Sequence, residues 1–443
     1  MKKKLAIILA LTMLLSLSGL CTAQGESDIY YAYGRELKLN PSDSLNGQFA
    51  GQKLTVFCCT GEFAAPLQES AEEFSKLSGA EVEIVIYPWE ELVSKISLAL
   101  NGDEEMDAFC FVSAFMKTYS TMGQLADLTA LSEQYGVADY NWEGFIPGLL
   151  GRTADQNGHV FAIPYQMCEM MTFYRKDLID GLQTDDVDAL ADIAAQYTRS
   201  LNPDSPTTYG FLTQYSLQSS QWSWMSRLGY YGGTLADDEW NITLADNDAA
   251  AKAMQSAIKM LPYAPANYEE YGFDEVNTLM AQGEVLMVEN WSSAAPYINT
   301  GDVEGKIGYA NTAGNTPTIS GWSLGINAKS EKQELAWKFV EFCSTEDGEM
   351  TRVDNGLPPA RTANYSYLIT NDVDADFYTA LMNSLDCSGT WGDVCLPYLG
   401  TQGNVTLTDW TLKAYNNSIT PDEAVTGIVN DLRDALESVG ITH

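Results

Sequence analysis

The segment Gly321-Trp322-Ser323-Leu324-Gly325 has the G-x-S-x-G pattern that presents a serine nucleophile at a strand-to-helix turn. A serine used in this way needs a histidine base, and in an α/β-hydrolase the histidine follows the serine. The chain has two histidines: His159 precedes Ser323, and His443 is the last residue. The pattern therefore lacks its base, and the same scarcity argues against histidine metal sites. Asp372-x-Asp374-x-Asp376 opens like a calcium loop, but Phe377 stands where the loop needs glycine and Asn383 where it needs glutamate. This excludes an EF-hand and leaves an incidental ion open. A retaining glycosidase needs two carboxylates about 5–5.5 Å apart, and with 60 acidic residues counting alone does not decide that case. There is no C-x-x-C pair among eight cysteines, which argues against zinc. No cofactor is expected.

Charge narrows the partners. Lys and Arg number 24 and Asp and Glu 60, for a net charge of −36. Such a balance disfavours nucleic acid or an anionic membrane surface. The acids are scattered, densest at Asp185 to Asp192 and Asp372 to Asp376. At 443 residues and 45% apolar content, the chain has material for two or three packed domains.

Residues 1–23 read as a signal peptide, with a basic head (Met1 to Lys4) and an apolar core from Leu5 to Leu15. Leu17-Ser18-Gly19-Leu20-Cys21 is lipobox-like, although Leu20 sits where a small residue is usual. Cleavage after Ala23 also fits. The reading adopted is lipid attachment at Cys21 on the outer face of the cell membrane, or else a secreted or periplasmic chain. Residues 24–50 are then a polar tether. No later stretch approaches 18 apolar residues. Cys387 and Cys395 are disulfide candidates, while Cys58, Cys110, Cys168 and Cys343 read as buried thiols.

The elements follow from periodicity. Lys53 to Cys58, Val82 to Tyr87 and Asp107 to Val112 are expected strands. Leu67, Ala71, Phe74 and Leu77 mark a helix stopped by Gly79, and Glu91 to Leu100 a second. Strand–helix–strand–helix–strand at this spacing predicts a parallel sheet with right-handed crossovers and ligands beyond the strands' carboxyl ends. Further on come a strand at 170–174, a helix at 186–199, a loop at 201–210 and a helix at 218–228 carrying Trp222 and Trp224. A helix at 275–282, strands at 285–288 and 323–327, and a helix at 334–343 follow. Thr420-Pro421-Asp422-Glu423 is a capping box that opens the last helix.

Several segments, in order, resemble the family 1 extracellular solute-binding proteins of ABC importers. Gly123 to Leu128 is similar to the family's G-x-L-x-D-L. Gly158 to Pro164 followed by Phe173 to Leu178 is similar to its G-K-x-Y-x-x-P and Y-N-K-D-L passage, with His159 for the usual lysine. Gly283 to Met287, Ala328 to Phe339 and Asn355 to Arg361 match three later segments. The resemblance spans roughly residues 52–440. It implies an α/β chain with a two-lobed, periplasmic-binding-protein-like fold of type II, each lobe a mainly parallel sheet flanked by helices. The chain would cross between lobes near Ile163 to Gln166, Gly321 to Leu324 and Leu357 to Arg361. One lobe would comprise residues 50–163 and 324–356, the other 165–321 and 358–443.

The resemblance also implies a ligand-trapping cleft, an ABC importer's permease subunits as partners, a monomer and no enzyme. The chain is rich in aromatics, 11% of residues, whose faces stack on the C–H faces of sugar rings. The cleft candidates by family position are Glu62, Phe111, Ser113, Tyr165, Gln166, Trp222, Trp224, Trp291 and Trp322. Trp142, Trp240, Trp337 and Trp410 are expected in the core; Trp89 and Trp391 stay open. Arg361 is the lone cation on these loops, and its expected role is a hinge hydrogen bond. The ligand expected is thus a neutral mono- or oligosaccharide. The alternatives are a secreted esterase or glycosidase, and a ligand-sensing or adhesion module of the same fold without a transport role.

Overall fold

Alternating strands and amphipathic helices open the folded body. β3 (Lys53–Cys59) pairs in parallel with β4 (Glu81–Tyr87) and with β5 (Ala108–Val112). The helices Ala64–Ser78 and Trp89–Asn101 connect them, as the spacing of Leu67, Ala71 and Phe74 requires. Gly79 ends the first helix at φ +74°. A Cβ there would lie 3.1 Å from the Ala50 backbone, so both the turn and the close approach need glycine. This computed structural model describes residues 29–438 apart from 41–42, 62–63, 103, 138–139, 156, 218, 238–240, 386–389 and 392–399. The expected signal peptide, Cys21, Glu62, Trp240 and the Cys387–Cys395 pair lie outside the described residues.

Two long strands link this sheet to the rest. β6 (Ala162–Arg175) has 14 residues, and β10 (Thr318–Ile326) has nine. β10 runs antiparallel between β5 and β6. The first half of β6 pairs with β10, and the second half pairs with β8 (Val285–Trp291) and β9 (Ile307–Asn311), one on each edge. β7 (Tyr209–Thr213) is parallel to β8, and β11 (Thr390–Trp391) is parallel to the start of β10. The resulting order is β4-β3-β5-β10-β6-β8-β7, with β9 and β11 off that path.

The expected strand at 170–174 is thus only the second half of β6. Pro164 obscures the first half, yet it is tolerated at a bulge: Ser323 pairs with Pro164 and Trp322 with Gln166, leaving Tyr165 as the extra residue. Gly321, at φ +146°, adopts a backbone conformation reserved for glycine in the facing strand. The first two expected crossing segments therefore lie on β6 and β10 and pair with each other. The third, Leu357 to Arg361, is no strand; Arg361 makes a lone bridge to Phe145, and the Ile146 N–H donates to the Ala360 carbonyl at 2.9 Å.

The tether reading of residues 24–50 needs correction over its described part. β1 (Ile29–Ala32) and β2 (Arg35–Lys38) form an antiparallel hairpin. Leu37, Leu39, Leu45 and Phe49 are buried. Arg35 binds Asp347 at 2.8 Å and Asn364 at 2.7 Å, and the Tyr33 hydroxyl donates to the Val353 carbonyl at 3.1 Å. These apolar residues are scattered singly among polar ones, so no periodic run announced them. The helix expected at 218–228 begins at Trp222, and β7 starts inside the expected 201–210 loop. Trp337 and Trp142 join Tyr140 in an aromatic core, with Trp337 fully buried. The Thr420 box closes as read: Glu423 N–H donates to the Thr420 hydroxyl at 3.2 Å, and the Glu423 carboxylate accepts from Thr420 N–H at 2.8 Å.

Candidate ligand-binding site

Side chains alternate between the faces of a strand, so Gln166, Cys168 and Met170 of β6 share one face. Opposite them stand Trp322, Ser320 and Trp291, respectively. Directly opposed residues share a face. The register therefore assembles Trp322, Ser320, Cys168 and Trp291 on one side of the sheet, over about 13 Å of strand. Trp322, Ser320 and Cys168 are half-buried, while Gln166 is buried.

Trp291 ends β8 and is 7% exposed. Trp222, half-buried, is the first residue of the Trp222–Leu228 helix. The two indoles meet edge to face, with centroids 5.0 Å apart and planes at 78°, a favoured arrangement for aromatic pairs. Both ends of the ladder thus carry tryptophan, with a hydroxyl and a thiol between.

Other candidates are committed elsewhere. Phe111 packs against Phe109 at 5.2 Å and Tyr119 at 5.3 Å. Tyr165 is buried beneath the Arg352 guanidinium, 4.6 Å from the ring centroid. Trp224 is fully buried and donates its indole N–H to Thr411 Oγ1 at 2.8 Å. These three face packed interior. Ser113 and Ser323 share a hydrogen bond of 2.7 Å, and both are buried. Ser323 therefore lies within β10, beside the bulge, with its hydroxyl partnered by Ser113, and not at the sharp strand-to-helix turn a nucleophile elbow needs. Ser320 was missed by sequence reasoning; its signal was alternation with Trp322 across Gly321.

The buried cations are also spent. Arg227 pairs with Glu289 at 3.0 Å and Arg352 with Glu349 at 3.1 Å. Arg361 donates to the carbonyls of Ser344 and Asn141, each at 2.6 Å, and lies 3.9 Å from the Phe145 ring centroid. Glu169, the last β6 residue paired with β10, is fully buried. Desolvation pushes its carboxyl well above the ordinary range, against weaker opposition from its own backbone N–H and the Ser384 hydroxyl. Burial thus favours the neutral form of this carboxyl. This arrangement offers aromatic faces and neutral polar groups to a ligand. Among the described residues, no group of three or more His, Cys, Asp or Glu side chains is placed to hold a metal ion.

A family model described as bacterial extracellular solute-binding protein matches residues 60–350. The diacetylchitobiose-binding protein DasA of Streptomyces coelicolor is 23% identical over 341 residues, covering 73% of this chain and 76% of the relative. The erythritol/L-threitol-binding protein of Mycolicibacterium smegmatis is 23% identical over 355 residues, covering 73% and 74%. Among solved structures, maltose-bound MalE3 of T. maritima superposes with a TM-score of 0.71 at 20% identity, over 87% of this chain and all of that one. With the strand order above and a model match over most of its length, the chain belongs to the bacterial extracellular solute-binding proteins and has their type II periplasmic-binding-protein fold.

Proposed function

We propose that the protein captures a neutral sugar, polyol or short oligosaccharide on the Trp322–Trp291 face and delivers it to the permease subunits of an ABC importer. The observation that carries this reading is the ladder itself: tryptophans at both ends, small polar groups between, and buried arginines already committed within the protein. An anionic ligand would need a free guanidinium or ammonium. The sugar and polyol named for the two relatives, and the maltose of the solved neighbour, support the same class. In this reading the chain performs no reaction; Ser323 and the scattered acids have structural tasks.

The lobes would comprise residues 50–163 with 324–356 and residues 165–321 with 358–443, closing about the three crossing segments. A ligand that touches both lobes binds the closed form better, and only that difference shifts the equilibrium. The protein acts outside the cytoplasm as a monomer, held at the membrane by lipid on Cys21. Isothermal titration with maltose, diacetylchitobiose, mannitol and erythritol tests the ligand class, with glutamate and phosphate as charged controls. At 100 times its Kd, a true ligand should also add about 2.7 kcal/mol of stability. Binding of a charged control with no sugar or polyol bound would overturn the reading.

A further inference from the structure

We propose that the buried Arg227–Glu289 pair is a positioning element of the ligand site, holding Trp222 against Trp291. The inference rests on the functional reading above. Arg227 lies on the helix that begins at Trp222, and Glu289 lies on β8 two residues before Trp291. The contact is bidentate: Nη1 to Oε2 at 3.0 Å and Nη2 to Oε1 at 3.3 Å. Arg227 is 1% exposed and Glu289 fully buried. The Ala313 N–H donates to Oε1 at 3.0 Å, and Arg227 also donates to the Ser223 carbonyl and, at 3.3 Å, to Ser226 Oγ. Helix, strand and the segment after β9 are therefore tied at one carboxylate.

A buried ion pair is a poor source of stability, because desolvation offsets most of the attraction and a hydrophobic pair often does as well. What a guanidinium fork adds is geometry, since its donors match a carboxylate in one orientation. Arg227 stands about 140° around the helix from Trp222. A rotation or slide of the helix that shifts Trp222 also shifts Arg227 and strains the fork. Glu289 and Trp291 point to the same side of β8, so one strand face holds both the anchor and the indole that Trp222 meets.

The test is the double variant R227M/E289Q, which removes both charges while keeping an acceptor for Ala313. It should unfold at or near the wild-type temperature, bind the best sugar of the panel about tenfold more weakly, and lose the near-UV circular dichroism signal that W222F also loses. A folded double variant with wild-type affinity and wild-type near-UV signal would overturn the proposal. Should the double variant not fold, R227K supplies the readout: a lysine keeps the charge without the fork, so an unchanged signal and affinity would equally overturn it. If the wild type binds no saccharide, the functional reading fails, and the near-UV comparison still decides the positioning claim.

Discussion

The two halves of β6 use the same kinds of residue to opposite ends. Along the β10-paired half, serine, tyrosine and arginine satisfy one another: Ser113 with Ser323, Tyr165 beneath Arg352, and Glu349 with Arg352. Where β6 passes to β8 and β9, an arginine–glutamate pair lies beside two tryptophans, Trp222 half-buried and Trp291 buried. In the first half these contacts are closed on themselves and give the crossing its shape, while Trp322 and Ser320, opposite Gln166 and Cys168, stay half-buried and lead on to Trp291 in the second half. A residue's place at a strand end does not decide whether its side chain stays accessible; what packs over it does.

The largest expected effects come from breaking the two buried pairs singly. Arg227→Met leaves the Glu289 carboxylate to the Ala313 N–H and should cost about 3–5 kcal/mol. Arg352→Met should cost less. Glu349 keeps the N–H groups of Ala360 and Arg361 and the Asn364 amide, at 3.0–3.3 Å. Urea unfolding of the two variants measures the difference. Equal losses would show that the extra donors do not shelter Glu349.

The tryptophans sharpen the contrast between surface and interior. Trp224→Ala should destabilise by about 3–5 kcal/mol through the cavity it leaves. Trp291→Ala should weaken sugar binding at least tenfold, or about 1.4 kcal/mol. Titration of the folded Trp291 variant with unchanged affinity would remove this residue from the site.

Much of the fold was legible because its signals are local. The β3–β5 unit, its helices and the Thr420 box rest on short-range periodicity and capping. The crossing strands were half-read, because Pro164 and Gly321 look like breakers until the bulge that accommodates them is seen. The β1–β2 hairpin was misread because its burial depends on partners more than 300 positions away, such as Val353 and Asn364. Aromatic residue type put Trp222, Trp291 and Trp322 forward for the proposed site. It did not separate them from Trp224 or Phe111, since burial is set by strand register and by helices distant in sequence. The Arg227–Glu289 pair gave no signal at all: neither residue neighbours the other in the chain, and each alone reads as a surface charge.

Glu169, at the junction of the two halves, makes the contrast pH-dependent. Its folded pKa lies above the ordinary value of 4.5 because burial disfavours the charged form. Between those two values the folded state holds a proton that the unfolded state has released. The stability this contributes is complete below about pH 4.5 and is lost as pH rises through the folded pKa. Glu169→Gln should therefore gain stability relative to wild type as pH rises from 4.5 into the neutral range, read as the difference between their unfolding midpoints. A difference constant with pH would mean that Glu169 titrates alike in both states.

The smallest effect belongs to the closed half, in the double variant Ser113→Ala/Ser323→Ala. Ser323→Ala removes one partner of the 2.7 Å bond to Ser113 and leaves a buried hydroxyl facing a methyl group. Losing one side of a buried hydrogen bond costs about 1–3 kcal/mol, whereas removing both sides is close to neutral when shape is kept. Ser113→Ala/Ser323→Ala should therefore recover most of what Ser323→Ala loses. Neither variant should alter sugar affinity, because this buried bond lies on the side of β10 away from the proposed Trp322–Trp291 face. A double-mutant cycle by chemical unfolding gives the coupling. If the double variant falls as far as the sum of the two single ones, the hydroxyls are not partners in solution, and the self-satisfied character of this half would fail at its best-defined contact.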